Sequence, residues 1–270
     1  MVLGAMAAGV RYDPSTYTLE GFLKTLFLVQ AWFPSEIGYN WSGPSWSLSA
    51  EWFAYLLFPA YAWLALRMRR HPWVLLILGI VAYVAIDAIY RAAFGKVLPR
   101  AEDDMGILRI APAFLIGVAM YGLGRGVVWR PLVSIAACLA TTALLLAAMQ
   151  MSLDDRLVVA LAAPVVFSWS MLAKTQSEGL LASGPLVFAG EVSFAFYLAH
   201  MPLLVAYKGI AAEMRGIDSG FYMVPWELAG LLLVTVLVSV ALHMFVERPG
   251  RSAIRRWFEK RDVRPVAISE

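Results

Sequence analysis

The chain has 270 residues, of which 61% are apolar and 15% charged, and its mean hydropathy is +0.70. Repeated runs of about 20 apolar residues match the ~30 Å hydrocarbon core of a bilayer, which excludes one or two soluble domains and predicts an all-α, polytopic transmembrane helix bundle. The formal net charge of +3 lies in short loops between apolar runs, where it sets orientation rather than attracting nucleic acid, and the single cysteine, Cys138, excludes a disulfide framework and a zinc spacing.

In chain order, Met1 to Val10 is a stub of small apolar residues, too short to span and without the basic flank of a signal peptide, and it reads as the end of an interrupted helix. Leu19 to Phe33 is amphipathic, with Leu19, Phe22, Leu23, Leu26 and Phe27 at helical spacing, as in a segment lying in the membrane interface. About seven full spans follow, near 47–66, 73–91, 107–124, 131–150, 157–173, 190–208 and 223–246. Their ends carry breakers and charges, such as Arg67-Met68-Arg69-Arg70-His71-Pro72 and Arg125 to Pro131. The first, third and last spans end in basic segments. With strict alternation, that places these ends and the tail from Glu247, with seven Lys/Arg against four acids, in the cytoplasm. Glu102-Asp103-Asp104 and Asp154-Asp155 then fall on the outer side. There is no internal repeat of the kind transporters carry. The organisation is a membrane domain over 1–250 and a basic cytoplasmic tail over 251–270, anchored at the interface by Trp257 and Phe258.

The polar residues inside the apolar segments carry the chemistry. In Trp46-Ser47-Leu48-Ser49-Ala50-Glu51-Trp52-Phe53-Ala54-Tyr55, the positions Ser47, Glu51 and Tyr55 share one helical face, and an acid at membrane depth is costly enough to point to function. The competing structural account makes Glu51 an N-terminal acid favoured by the helix dipole, with Ser47 or Ser49 as cap. His200 lies near the middle of its span, with Ser193, Phe196 and Tyr197 one or two turns earlier. It suits either proton transfer or an interhelical hydrogen bond. His243 and Glu247 are four apart and read as a capping network, Asp87 and Arg91 as an ion pair, and Gly122 to Gly126 as a turn. The three histidines are scattered and the carboxylates lack ligand spacing, so no metal site is expected.

Pro44-Ser45-Trp46-Ser47-Leu48-Ser49-Ala50-Glu51 resembles the signature of the integral-membrane acyltransferase 3 family. Two stretches match in order after it, Gly190-Glu191-Val192-Ser193-Phe194-Ala195-Phe196-Tyr197-Leu198-Ala199-His200-Met201-Pro202 and Val246-Glu247-Arg248-Pro249. A weaker match runs from Leu108-Arg109 to Phe114-Leu115-Ile116-Gly117. The resemblance covers roughly residues 40–250. It implies a ten-helix bundle in the bacterial inner membrane that transfers an acyl group, typically acetyl, from acyl-CoA to a hydroxyl of a carbohydrate or cell-envelope acceptor. Its partners would be the lipid bilayer, that acceptor and acyl-CoA, with no permanently bound cofactor and no nucleic acid. The same resemblance makes His200 and Glu51 the catalytic candidates. It makes Trp46, Ser47, Ser49, Tyr55, Ser193, Tyr197 and Arg109 the substrate-binding candidates, and Arg248 and Glu247 those for acyl-CoA. The family's first helix carries a histidine with a basic residue upstream, and an Arg-x-x-Arg motif follows. None of these has a counterpart here, where the histidines are His71, His200 and His243. The expectation is an N-terminally truncated member whose general base lies outside the chain and whose activity is in question. The alternatives are a transporter or exporter of a small or lipid-linked substrate and a non-catalytic remnant. A retinal protein is excluded by the absence of lysine from 223–246.

Overall fold

The computed structural model describes residues 18–35, 41–175, 179 and 182–262, and among these the regular structure is entirely helical. The stub at Met1 to Val10 lies outside the described residues. The amphipathic start forms α1 (Leu19–Leu26), N-capped by the Thr18 hydroxyl, which accepts from the Gly21 N–H at 3.0 Å, and a short 3₁₀ turn follows at Gln30–Trp32. Among the described residues, six helices are long and apolar enough to cross a membrane. Four of them are α4 (Pro72–Phe94), α5 (Ile107–Gly124), α6 (Pro131–Gln150) and α7 (Asp155–Thr175). The fifth is α8 (Gly184–Arg215), and the sixth begins as α9 (Pro225–Leu242), passes through a π-helical turn at His243–Glu247 and continues as α10 (Arg248–Asp262).

The predicted span at 47–66 differs. It is split into α2 (Trp46–Leu56) and α3 (Phe58–Arg67), because Pro59 in the first turn of α3 cannot donate to the preceding turn and its ring disfavours helical backbone before it. Together the two halves still run the length of α5, with Trp46 on Arg109 near its start, Tyr61 donating to the Ala111 carbonyl, and Pro72 beside Gly122 near its end. Helix α8, with 32 residues, extends to about 48 Å, well beyond the hydrocarbon core.

The described residues divide into two compact units, one within 11–183 and one within 184–270. In the first, α4 packs on α5, α6 on α7, and α2 and α3 on α5. Gly79 makes the α4–α5 approach possible, since a Cβ there would lie 2.7 Å from Ile116 Cγ1 and 3.2 Å from the Ile116 backbone nitrogen. Small residues let membrane helices come close in this way. Hydroxyls join α6 to α7, with Thr141 Oγ1 2.9 Å from Ser168 Oγ and the Trp169 indole donating to Thr142 Oγ1 at 3.1 Å. At one end, Lys174 Nζ donates to the carbonyls of Gly124, Arg125 and Val127 at 2.7, 3.2 and 3.1 Å, and so supplies the carbonyl end of α5 with a cation.

At the other end of this unit the connection 95–106 is tied down by charge. Gly95, at φ +67°, closes α4 in the left-handed conformation. The buried Asp87 accepts the Leu98 N–H at 2.8 Å through Oδ1, while Oδ2 lies 3.3 Å from Arg91 Nε and 3.6 Å from Arg156 Nη1. The expected Asp87–Arg91 pair is therefore present, and it carries a third member from α7. Tyr90 donates to the Asp104 carbonyl at 3.1 Å, Lys96 meets Asp104 at 3.1 Å, and Arg100 meets Asp155 at 2.6 Å. Hydrogen bonds from the Arg156 guanidinium and N–H hold the Asp154 carboxyl well below the usual carboxylate range. A depressed carboxyl contributes stability above about pH 4 and loses it as the pH falls through the lowered value.

In the second unit α8 packs antiparallel to α9, and Pro202 lies inside α8. Helix α10 is the basic helix expected of the tail, with Ile254, Trp257 and Phe258 exposed.

Replacing Gly79 by leucine forces α4 and α5 apart and is expected to cost about 2 kcal/mol or more. A fall of several degrees in the unfolding midpoint of the solubilised protein would show it, and an unchanged midpoint would show that the approach is not limiting.

Candidate functional site

In the first unit, polar side chains gather where α2 begins, beside the 95–106 connection. The Gln30 amide donates to the Ser45 carbonyl and hydroxyl, each at 2.9 Å. Ser49 is fully buried. Its hydroxyl accepts the Ala31 N–H at 3.1 Å, and its carbonyl accepts the Trp32 indole at 3.0 Å. Ser49 therefore anchors the 30–32 turn to α2, and its polar groups are occupied by the fold. Trp46 faces the same region and carries the Arg109 guanidinium 5.1 Å above its ring. Arg109 is held further by donating to the Pro99 carbonyl at 2.8 Å. A guanidinium has five donors, so this arrangement leaves others to meet an oxygen.

Two buried polar atoms here have no hydrogen-bond partner among the described residues, Gln30 Oε1 and the Tyr83 hydroxyl. An orphaned buried oxygen costs about 1–3 kcal/mol, which makes this a place where a ligand's polar groups are welcome. At the same end, a cleft of about 670 Å³ lies between the 95–100 and 149–158 stretches, lined by Lys96, Arg100, Leu153, Asp154 and Asp155 among others.

Ser47, Glu51 and Tyr55 do share a face, as their spacing predicts, but the Glu51 and Tyr55 side chains are exposed and engage each other. The Tyr55 hydroxyl donates to the Glu51 carboxylate, and Ser47 donates to the Pro44 carbonyl at 3.2 Å. Neither Ser47 nor Ser49 caps α2. The predicted cluster thus separates, with Trp46 and Ser49 joining Arg109 on the buried side and Glu51 and Tyr55 on the exposed one.

In the second unit, His200 Nδ1 donates to the Tyr197 carbonyl at 2.6 Å, its ring lies parallel to Phe196 at 6.4 Å, and the Tyr197 ring is 5.7 Å away. Ser193 is exposed and donates to the Gly190 carbonyl at 2.7 Å. The more constrained histidine is His243, which is completely buried in the π-helical turn. Its Nδ1 is 2.9 Å from Glu247 Oε2, and its Nε2 lies 3.5 Å from Glu191 Oε2. Glu247 also accepts from Arg251 through its second oxygen. This replaces the capping network expected of His243 and Glu247 with an internal polar cluster. Glu247 is thereby committed within the fold, whereas Arg248 is exposed and touches Met244 Sδ at 3.5 Å.

The readings from sequence did not single out Gln30, Tyr83 or Glu191, and gave His243 only a structural role. Glu191 was legible in part, as the one acid in an otherwise apolar stretch. Gln30 and Tyr83 gave no signal, because only the packing shows that their oxygens are orphaned. Among the described residues no group of three or more His, Cys, Asp or Glu side chains is placed to hold a metal ion.

Long apolar helices with paired charges in the connections and polar side chains held between them define an integral membrane helix bundle. The chain belongs to the acyltransferase 3 family, whose acyltransferase domain matches residues 2–244. It is similar to the acyltransferase MdmB of Streptomyces mycarofaciens, at 29% identity over 265 residues, which covers 87% of this chain and 65% of that protein. The chain thus spans about two thirds of the length of that relative. No solved structure matches it.

Replacing Ser49 by alanine leaves the Ala31 N–H buried without a partner and is expected to cost about 1–3 kcal/mol. Glu51→Gln, at an exposed position, is expected to change stability by less than about 0.5 kcal/mol. Thermal unfolding of both variants tests the separation, and equal losses would contradict it.

Proposed function

We infer that this protein transfers an acyl group, typically acetyl, from acyl-CoA to a hydroxyl of a carbohydrate or cell-envelope acceptor. The family match over residues 2–244 carries the reading. In such a transfer the acceptor hydroxyl attacks the thioester carbonyl, and the carbonyl oxygen gains negative charge that preorganised donors stabilise. Arg109 suits that role, because Trp46 and the Pro99 carbonyl fix its guanidinium while leaving donors free. The cleft beside Lys96 and Asp154 suits a neutral polyhydroxylated acceptor, since its two cations and two carboxylates balance and Met149, Leu153 and Val158 supply apolar lining. A bundle of apolar helices favours acyl transfer over hydrolysis by excluding water. Within the second unit, His200, Tyr197 and Ser193 are the residues suited to line the acyl path, and Arg248 is an exposed cation suited to acyl-CoA phosphates.

The same reading places the protein in a bacterial inner membrane with the C-terminus in the cytoplasm. Charge supports this, because Arg67, Arg69, Arg70, Arg125 and Arg130 flank the ends of the first unit's helices at one side without a carboxylate among them. At the other side the charges are largely paired.

With the full chain in lipid nanodiscs and acetyl-CoA as donor, free thiol release is expected to rise when carbohydrate hydroxyl acceptors are added. Arg109→Ala is expected to lower the rate by about 10²-fold, the typical loss when one oxyanion donor is removed. Thiol release indifferent to both would count against the reading. For orientation, Ser252→Cys in a Cys138→Ser background should react with an impermeant maleimide only after the cells are opened. Labelling of intact cells would invert the topology.

A further inference from the structure

We propose that Asp87 is the positioning residue for Arg109. Its carboxylate fixes the short 3₁₀ turn at Leu98–Arg100 through the Leu98 N–H, and the Pro99 carbonyl of that turn sets where the guanidinium points. The proposal rests on the acyl-transfer reading and deepens it, by naming what aims the oxyanion donor.

The path is a run of short contacts within the first unit. Asp87 Oδ1 accepts the Leu98 N–H at 2.8 Å, Pro99 follows Leu98 in the chain, and Arg109 Nη1 donates to the Pro99 carbonyl at 2.8 Å. The turn's own hydrogen bonds run from the Arg100 N–H to the Val97 carbonyl and from the Ala101 N–H to the Leu98 carbonyl, each at 2.9 Å. The Leu98 N–H and the Pro99 carbonyl are thus left to side chains, one from α4 and one from α5. Arg109 has a second hold in the Trp46 ring, 5.1 Å away. A ring face leaves a cation free to slide, whereas a hydrogen bond to a carbonyl fixes the direction of one donor. Pro99 therefore decides the aim.

Asp87 can hold the turn because it is itself held. Its side chain is only 7% exposed, and Oδ2 lies 3.3 Å from Arg91 Nε on α4 and 3.6 Å from Arg156 Nη1 on α7. The turn is equally confined, since Leu98 packs with Tyr90 and Ala101 and the ring of the buried Pro99 fixes its φ.

The residues around Leu98 and Pro99 give this hold its meaning for the reaction. Lys96, Val97 and Arg100 line the proposed acceptor cleft. One stretch of chain therefore shapes the cleft with some residues and aims Arg109 with another. A donor stabilises an oxyanion from about 2.7–3.1 Å, and misplacement by about 1 Å can cost about 10²-fold in rate. Loosening the turn is thus felt at the donor before it is felt in binding.

The full chain in nanodiscs tests this with acetyl-CoA and a carbohydrate acceptor. Asp87→Ala is expected to lower kcat by about tenfold and to leave KM for acetyl-CoA within about twofold. Asp87→Asn, whose amide oxygen still accepts the Leu98 N–H, should recover most of that loss. In an Arg109→Ala background, Asp87→Ala should cost nothing further, because a residue that acts through Arg109 has nothing left to aim. Losses that multiply in the double variant, or an Asp87→Asn as slow as Asp87→Ala, would overturn the proposal. Should Asp87→Ala fail to fold, Asp87→Glu replaces it, since it keeps the charge and displaces the accepting oxygen, with the same expected loss and the same double-variant comparison. If the wild-type chain transfers nothing, the acyl-transfer reading fails separately. The positioning is then read from the ¹⁹F spectrum of 5-fluorotryptophan-labelled protein, where the Trp46 signal, one of ten, is identified by its loss in Trp46→Phe. Asp87→Ala should move that signal toward its position in Arg109→Ala, and Asp87→Asn should not. An unmoved signal in Asp87→Ala would overturn the proposal.

Discussion

Every polar group carried into an apolar helix bundle must find its partner inside the protein, and this requirement organises the structure more than any single contact does. Hydroxyls on α6 and α7 bond across the interface or back to their own helices, as Thr141 and Ser168 do. Lys174 folds its ammonium onto the last carbonyls of α5. Asp87, buried near the end of α4, is matched by one backbone N–H and two guanidinium groups, which together fix the 95–106 connection. Removing a partner from such a carboxylate would leave a charge that burial makes expensive.

Against that background the incomplete sites stand out. Gln30 Oε1, the Tyr83 hydroxyl and His243 Nε2 are buried atoms left without hydrogen bonds among the described residues. The first two lie in the unit that holds Arg109 and Trp46, and the third lies in the unit that holds His200. Few buried polar atoms in native proteins go unpaired, and those that do call for a specific reason. In the first unit the reason offered is chemistry: an unpaired oxygen and a fixed guanidinium can receive a substrate.

The helical membrane class was legible in composition alone, because 61% apolar residues in runs of spanning length admit few other folds. Helix limits at 107–124 and 131–150 coincide with those expected, since glycine, proline and arginine mark them. The break inside the 47–66 span was not legible, because the segment's apolar character masks the effect of Pro59, a local backbone constraint that hydropathy does not register. The site was legible by type but less so by placement. Spacing correctly grouped Ser47, Glu51 and Tyr55 on one face, but periodicity does not say which face turns inward, and Glu51 and Tyr55 are exposed. His243 was read as a cap because sequence shows its distance from Glu247 and hides its nearness to Glu191, which comes from the antiparallel packing of α8 and α9.

The central claim is that this membrane bundle moves an acyl group onto a hydroxyl. Mass spectrometry of a carbohydrate acceptor after incubation with the reconstituted chain and isotopically labelled acetyl-CoA tests it most directly. The account predicts an acceptor that gains the labelled acetyl mass as an alkali-labile ester. Labelled acetate in solution with the acceptor unchanged, or no turnover at all, would contradict it.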